Sequence, residues 1–196
     1  MVPVDDPDGD LIESIRAGDA SAFNELVLKY RNRVMGVAAR MLENRVDAED
    51  LAQDVFVKVY HSLKSFKGEA LFSTWLYRIT ANSCLNHRRK KKLEAEIWNR
   101  GDNQDSIRSD AHSNPQVILE EREVKLFLEK AIQELPQEQR IVLILRDIEG
   151  LSYEAIADSL ELELGTVRSR LHRARLGVQA GIKKIFSSDL QRSEIR

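Results

Sequence analysis

Apolar residues recur at helical spacing along most of this chain, and no stretch shows the sustained apolar/polar alternation of a half-buried strand. From Ala20 to Leu42 they fall at Phe23, Leu26, Val27, Tyr30, Val34, Val37, Ala38, Met41 and Leu42, one buried face of a long helix. From Asp47 to Leu63 the same face reads Leu51, Ala52, Val55, Phe56, Val59 and Leu63. A third helix is expected from about Phe72 to Arg89, with Phe72, Trp75, Leu76, Ile79 and Ser83 on one side. The first half therefore reads as a three- or four-helix unit ending near Lys92.

Residues 99–116 hold a single large aliphatic residue, Ile107, and bury too little to offset their ordering entropy. They read as a flexible linker, and a loop of that length favours two domains over one. Helices resume at about Val117–Leu135, where Pro136 intervenes, and again over Gln137–Glu149. Gly150 suits the left-handed position that closes a helix, and Ser152 is a natural N-cap for Tyr153–Leu160. A last helix starts at Gly165-Thr166 and runs to about Phe186. The fold class is all-α: two small helical domains, 10–92 and 118–186, joined by a linker over 93–117.

The 196 residues carry a net charge of −2, which by itself argues against a polyanionic partner. The average conceals blocks. Residues 63–92 contain 8 basic and 1 acidic residue, and residues 165–196 contain 8 and 2. Two basic islands in an otherwise acidic chain are the electrostatic footprint of a bipartite nucleic-acid binder. One cysteine, Cys84, excludes an internal disulfide framework and a Cys-rich zinc site. The acidic start lacks the basic and apolar parts of a signal peptide, and no apolar run approaches a membrane span, so a cytoplasmic location is expected.

The second island follows a short helix and a tight turn, the helix-turn-helix pattern. At about 100° per residue, Val167, Leu171, Ala174 and Val178 form one stripe that can dock on Ile156, Ala157 and Leu160. Ser169, His172 and Arg173 then point outward, Arg168 and Arg175 share one flank, and Arg170 lies on the other. Such a helix fits a major groove, where arginine can pair with guanine while flanking cations hold phosphates. Gly165-Thr166 offers backbone N–H groups to a phosphate. A helical hairpin with a solvated basic face is the plainer alternative.

In the first island, Phe66 and the loop Lys67, Gly68, Glu69, Ala70, Leu71 are candidates for exposed contacts with unpaired bases. Phe72, Trp75 and Leu76 lie at core spacing, so Phe72 and Trp75 are candidates both for packing and for base contact. Arg78, Asn82 and Asn86 form one stripe at i, i+4, i+8, and an Asn amide can address a base edge. Arg88 and Arg89 open a run of five cations that attracts phosphate. On the Asp47–Leu63 helix, the face opposite the apolar stripe carries Asp50, Gln53, Asp54, Val57 and His61, a third surface. An exposed valine among acids suits a basic protein partner. Nothing near Asp50 and Asp54 supplies a nucleophile or a third metal ligand, so neither a catalytic pair nor a metal site is expected.

The ordered set Asp47-Ala48-Glu49-Asp50-Leu51-Ala52-Gln53-Asp54-Val55-Phe56, Phe66-Lys67-Gly68, Thr74-Trp75-Leu76-Tyr77-Arg78-Ile79, Leu135-Pro136, Leu151-Ser152-Tyr153-Glu154-Ala155-Ile156-Ala157 and Gly165 through Arg175 resembles the bacterial extracytoplasmic-function sigma factors of the sigma-70 family. The resemblance implies that 10–92 is a region-2 domain and 118–186 a region-4 domain. It implies that Asp50, Gln53, Asp54, Val57 and His61 dock on the β′ coiled coil of core RNA polymerase. It implies that Phe66, Lys67, Gly68, Ala70, Leu71, Phe72, Trp75, Arg78, Asn82, Asn86, Arg88 and Arg89 recognise and open the −10 element, capturing its non-template strand. It further implies that Ser152, Tyr153, Gly165, Thr166, Arg168, Ser169, Arg170, His172, Arg173 and Arg175 read the −35 duplex, with other faces meeting the β flap. An anti-sigma factor is a further implied partner, and no cofactor is.

Two other classes compete. A stand-alone helix-turn-helix regulator would bind its operator without polymerase, usually as a symmetric dimer; two distinct basic islands disfavour it. A nucleic-acid-processing enzyme would need a catalytic constellation, but His61, His87, His112 and His172 are scattered with no accompanying motif.

Overall fold

The computed structural model describes residues 5–100 and 119–193, and those residues contain helices and turns with no strand. Four helices make the first half: α1 Gly9–Arg16, α2 Ala20–Met41, α3 Arg45–Ser62 and α4 Phe72–Arg100, with a 3₁₀ turn at Leu63–Ser65. Four make the second: α5 Leu119–Gln133, α6 Gln137–Leu143 continuing into a π-helical turn at Ile144–Ile148, α7 Tyr153–Leu160 and α8 Leu164–Ser193. The all-α class with two helical halves is as expected from the periodicity.

Local chemistry sets the boundaries. At the start of α2 the Asp19 carboxylate accepts from the Ser21 hydroxyl (2.6 Å) and from the N–H groups of Ser21 (2.8 Å) and Ala22, and these bonds, the hydroxyl's foremost, hold its pKa below the usual aspartate value. Asn44 caps α3 through Val46 N–H (2.9 Å), and Ser152 caps α7 through Ala155 N–H (3.0 Å). Gly150 takes φ +79° after the π turn, the left-handed role anticipated for it. The helix expected over Gln137–Glu149 changes pitch after Leu143, where Glu149 N–H bonds to Ile144 carbonyl (3.0 Å). The third helix also differs from expectation: it continues past Lys92 to Arg100, so residues 93–100 of the expected linker are helical. The Lys90–Glu94 and Lys92–Glu96 pairs at i, i+4 spacing support this extension. The rest of the expected linker lies outside the described residues.

Leu26, Val34 and Val37 of α2 pack with Val55 and Val59 of α3 and Phe72 and Leu76 of α4, all fully buried. In the second half Ile141, Ile144, Ile156, Val167 and Ala174 do the same. Two small positions let α5 lie close on α8. A Cβ at Gly181 would sit 3.0 Å from Ala131 Cβ, and one at Gly177 would meet Leu135 Cδ2 at 2.5 Å.

The two halves share one continuous apolar cluster. Arg140 joins them: it is 3% exposed and sends its guanidinium to carbonyls of both halves. It donates to Met41 (3.3 Å) and Arg40 (3.4 Å) at the end of α2, and to Leu135 (3.0 Å) and Gln133 after α5. Burial, reinforced by the nearby Arg88 cation, pulls its pKa down to about 10. Tyr77 of α4 is fully buried and donates its hydroxyl to Glu149 across the same junction. Arg33 also hydrogen-bonds the Tyr77 phenol, which raises the Arg33 pKa.

Candidate nucleic-acid interface

The expected protein-docking face lies on α3, where Asp50, Gln53, Asp54, Val57 and His61 are all exposed. Val57 is 54% exposed, and Tyr60 beside it is 53% exposed, its ring edge-on to Phe23 at 4.9 Å. Tyr60 belongs to this face and was missed. Its i+3 spacing from Val57 was the available signal. Capping by Asn44 and burial of Leu51, Val55 and Val59 fix which side of α3 faces water.

The loop before α4 departs from expectation at Phe66. Its ring is 7% exposed and packs on Trp75 (5.1 Å between centroids) and Phe72 (6.0 Å), while Arg16 donates to its carbonyl. An aromatic ring at the edge of a core is held by apolar burial whether or not a base is present, so Phe66 is a wall of this site and not an exposed contact. Phe72 is fully buried, the packing alternative for that residue. Trp75 is half-buried and borders an open cleft with Lys67, Ala70 and Arg78. Leu71 is exposed, and Gly68 has φ +70°, a left-handed turn that suits glycine.

The acidic N-terminal segment positions this loop. Asp6 accepts the Phe72 N–H at the start of α4 (2.5 Å), and buried Asp8 bonds to Tyr30 and Lys29. Along α4, Arg78 and Asn86 are exposed and Asn82 is half-buried. Arg88 is committed elsewhere: it donates to Met41 carbonyl (2.9 Å) and pairs with Glu43 (3.2 Å). A cation at the C-terminal end of α2 answers that helix's dipole and its unpaired carbonyls, so Arg88 holds α4 to α2. Arg89 is exposed, and Lys91 is paired with Asp47.

The helix-turn-helix comprises α7 and α8, with Val167, Leu171 and Ala174 buried as anticipated. Arg168, Ser169, His172 and Arg173 are exposed on the opposite side. Arg170 is instead paired with Glu138 (2.7 Å) and half-buried. Arg175 forms a two-bond fork with Asp147 (2.6 and 2.9 Å). The Thr166 N–H is bonded to Glu163 carbonyl (2.8 Å), so that donor is not free for a phosphate. Ser152 uses its hydroxyl as a cap, and Tyr153 is half-buried with the Arg146 guanidinium over its ring at 4.9 Å. The turn itself carries Glu161 at φ +54°, a left-handed conformation unusual for a residue with a side chain.

The acidic blocks thus partner much of both basic islands: Arg78 with Glu161, Arg88 with Glu43, Lys91 with Asp47, Arg170 with Glu138 and Arg175 with Asp147. Among the described residues, no group of three or more His, Cys, Asp or Glu side chains is arranged to hold a metal ion. No helix among them is long and apolar enough to cross a membrane.

Comparison with known proteins matches the two halves separately. The model for sigma-70 region 2 covers residues 26–94, and that for sigma-70 region 4 covers residues 128–176. The chain is 35% identical to the RNA polymerase sigma-H factor of Pseudomonas aeruginosa over 188 residues, spanning 91% of this chain and 95% of the relative. It is 35% identical to the ECF RNA polymerase sigma-E factor of Escherichia coli over 186 residues, 90% and 94% of the two chains. Among solved structures, the sigma factor RpoE in complex with the anti-sigma factor NepR from Bartonella quintana aligns with a TM-score of 0.65 at 27% identity, covering 82% of this chain and 96% of that one. CnrH in complex with the cytosolic domain of CnrY shares the fold at a TM-score of 0.65, over 91% and 99% of the chains. With both family regions present in order and the similarity running nearly end to end, this chain belongs to the extracytoplasmic-function sigma factors of the sigma-70 family.

Proposed function

We propose that this sigma factor directs core RNA polymerase to a subset of promoters by presenting two separate DNA readers and one protein-docking face. The observation that carries this reading is the coexistence of three surfaces on one chain: the α3 face, the Trp75–Arg78 cleft edge and the outer face of α8. In this reading residues 10–92 form the region-2 domain and 118–186 the region-4 domain. Asp50, Gln53, Asp54, Val57, Tyr60 and His61 engage the β′ coiled coil, the acids meeting a basic partner around a small apolar centre.

The −10 non-template strand is taken at Lys67, Ala70, Leu71, Trp75, Arg78, Asn82, Asn86 and Arg89, with Phe66 and Phe72 as the wall behind Trp75. A flipped base gains about 1–3 kcal/mol by stacking on such an aromatic surface, enough to offset part of the cost of leaving the duplex. Arg168, Ser169, His172 and Arg173 face the −35 major groove. The phosphodiester chemistry belongs to the polymerase, and this chain contributes binding energy alone. The protein works in the cytoplasm, and an anti-sigma factor controls it; RpoE of Bartonella quintana, a structural relative, was solved with the anti-sigma factor NepR. The deciding experiment is transcription by purified core polymerase on a library of genomic fragments, with and without this chain. Transcripts with defined starts that depend on the chain are expected. An identical transcript set in both reactions would overturn the reading.

A further inference from the structure

The loop between Phe66 and Phe72 is slack by its own geometry. Six residue steps can span about 20 Å when extended, yet the rings at its two ends stand 6.0 Å apart between centroids. Lys67, Glu69, Ala70 and Leu71 are exposed, and Gly68 turns at φ +70°. Burial of Phe66 and Phe72 holds the two rings, but the path of the exposed middle depends on how the backbone is gripped at each end. One element grips both ends. Asp6, just ahead of α1, accepts the Phe72 N–H at the start of α4 (2.5 Å). Arg16, in the last turn of α1, donates to the Phe66 carbonyl. We infer that α1 is a two-ended clamp on the −10 reading loop, an inference that rests on the −10 assignment proposed above. Asp6 and Arg16 are positioning residues, which set base discrimination at the −10 element without touching DNA themselves.

Three observations carry it. The first is that the two grips belong to one rigid body. Gly9–Arg16 is helical and rises about 12 Å, so Asp6 and Arg16 hold their partners at a set separation. The second is that this body is anchored to the core independently of the loop. Ile12 is buried in the apolar cluster, and buried Asp8 bonds to Lys29 and Tyr30 of α2. Pro7 stiffens the backbone between the two aspartates. One Asp6 carboxylate oxygen accepts the Asp8 N–H (3.0 Å) while the other takes Phe72, so a single side chain joins the anchored segment to α4. The third is that the grips act on the wall of the site. Phe66 and Phe72, the residues gripped, pack on Trp75 at 5.1 and 5.8 Å between centroids, and the Tyr30 ring stands edge-on to Phe72 at 5.5 Å. Release of either end therefore shifts both the exposed loop and the aromatic surface on which a base would stack.

The test uses holoenzyme assembled from purified core polymerase and the full chain. Its templates are a promoter taken from the chain-dependent transcripts and copies with single substitutions in the −10 element. Wild type is compared with Asp6→Ala, with Arg16→Met, which keeps the apolar stem, with Arg16→Lys, which keeps a donor, and with the Asp6→Ala/Arg16→Met double variant. Permanganate reactivity of unpaired thymines reads opening on each template. A trifluoromethyl label on Glu69→Cys reads the loop directly by fluorine NMR of the chain without polymerase; Glu69 is exposed, and Cys84 is buried with its thiol pushed up to about 12, so it stays unlabelled. We expect discrimination between parent and substituted −10 elements to fall at least fivefold in Asp6→Ala and in Arg16→Met, to recover to within twofold in Arg16→Lys, and core affinity to stay within twofold throughout. The double variant should fall no further than the worse single one, because releasing either end frees the same loop. The label should give one narrow resonance in wild type and a broadened or split one in Asp6→Ala and Arg16→Met. Undiminished discrimination in both single variants, with Trp75→Ala damaging it, would overturn the clamp. So would effects that multiply in the double variant, or core affinity lost in Arg16→Met, which would place that residue on the docking face. Discrimination lost in parallel with helical content and not recovered by Arg16→Lys would mark a merely structural role and overturn it as well. A resonance that broadens in both single variants, with discrimination unchanged in them and in Trp75→Ala, would retain the grip on the loop and refute the −10 assignment instead.

Discussion

Arg140→Met is the most informative single perturbation of the folded state. The substitution keeps a long flexible side chain in the space and removes the guanidinium. Arg140 donates to the carbonyls of Leu135 (3.0 Å) and Gln133, and makes two longer bonds, at 3.3 and 3.4 Å, to Met41 and Arg40. Hydrogen bonds to a charged group contribute about 1.5–3 kcal/mol each, and a buried carbonyl left unpaired costs about 1–3 kcal/mol. Met41 keeps a partner in Arg88 (2.9 Å), so its loss is small. The Gln133 and Leu135 carbonyls have no such substitute. Against this stands relief from burying a cation, an expense visible in the pKa drawn down to about 10 and in the buried Nε with no hydrogen-bond partner. Setting about 4 kcal/mol of lost carbonyl pairing against part of that relief leaves a net destabilisation of about 2 kcal/mol. For a chain of this size that lowers Tm by about 4–8 °C. Arg140→Lys should fall between, because an ammonium reaches fewer of the four carbonyls. The assay is thermal and urea unfolding followed by far-UV circular dichroism. If Arg140→Met is as stable as wild type, cation burial outweighs the carbonyl bonds. Arg140 is then not a stabilising staple.

Further outcomes follow from the same surfaces. Asp54→Arg, on the exposed face of α3, should weaken association with core polymerase at least tenfold in a binding titration while leaving the thermal unfolding curve in place. Arg173→Ala should weaken discrimination of the −35 duplex by about 1–3 kcal/mol without changing core affinity, measured by holoenzyme competition between promoters; lost core binding would show that this face was misassigned. In acid, the Asp19 cap behaves as a carboxylate with a depressed folded pKa. Its contribution is complete above the ordinary aspartate value of 3.8 and disappears as pH falls through the lower folded value. Asp19→Asn keeps a capping oxygen that does not titrate, so its stability should vary less than wild type's between pH 5 and 2 in circular-dichroism titrations.

Seven of the eight helices among the described residues, the buried faces of α2, α3 and α8, and the caps at Ser152 and Gly150 were legible in the chain, because each depends on residues within one or two turns of one another; α1 was not. The outer α3 face was legible for the same reason, apart from Tyr60, which shares that face. What failed involved partners far away in sequence. Phe66 looked exposed as a loop aromatic, and is buried because Phe72 and Trp75 close around it. Arg88, Arg170 and Arg175 looked like phosphate contacts, and are paired with Glu43, Glu138 and Asp147, residues 28 to 45 positions away. Asp6 looked like part of a featureless acidic segment and caps α4 from 66 positions away.

An all-α chain with two basic segments and an acidic helix face is readable from the chain alone, because helical periodicity and charge blocks are short-range patterns that survive without knowledge of contacts. Which cations are paired, and how the two halves meet, emerges only once the helices are packed. That meeting depends on a few side chains without periodic signature: Arg140 reaching the carbonyls of α2 and α5, Tyr77 bonding Glu149, and Glu161 turned toward Arg78. Coulomb attraction and carbonyl capping act through space, and sequence distance carries no trace of them.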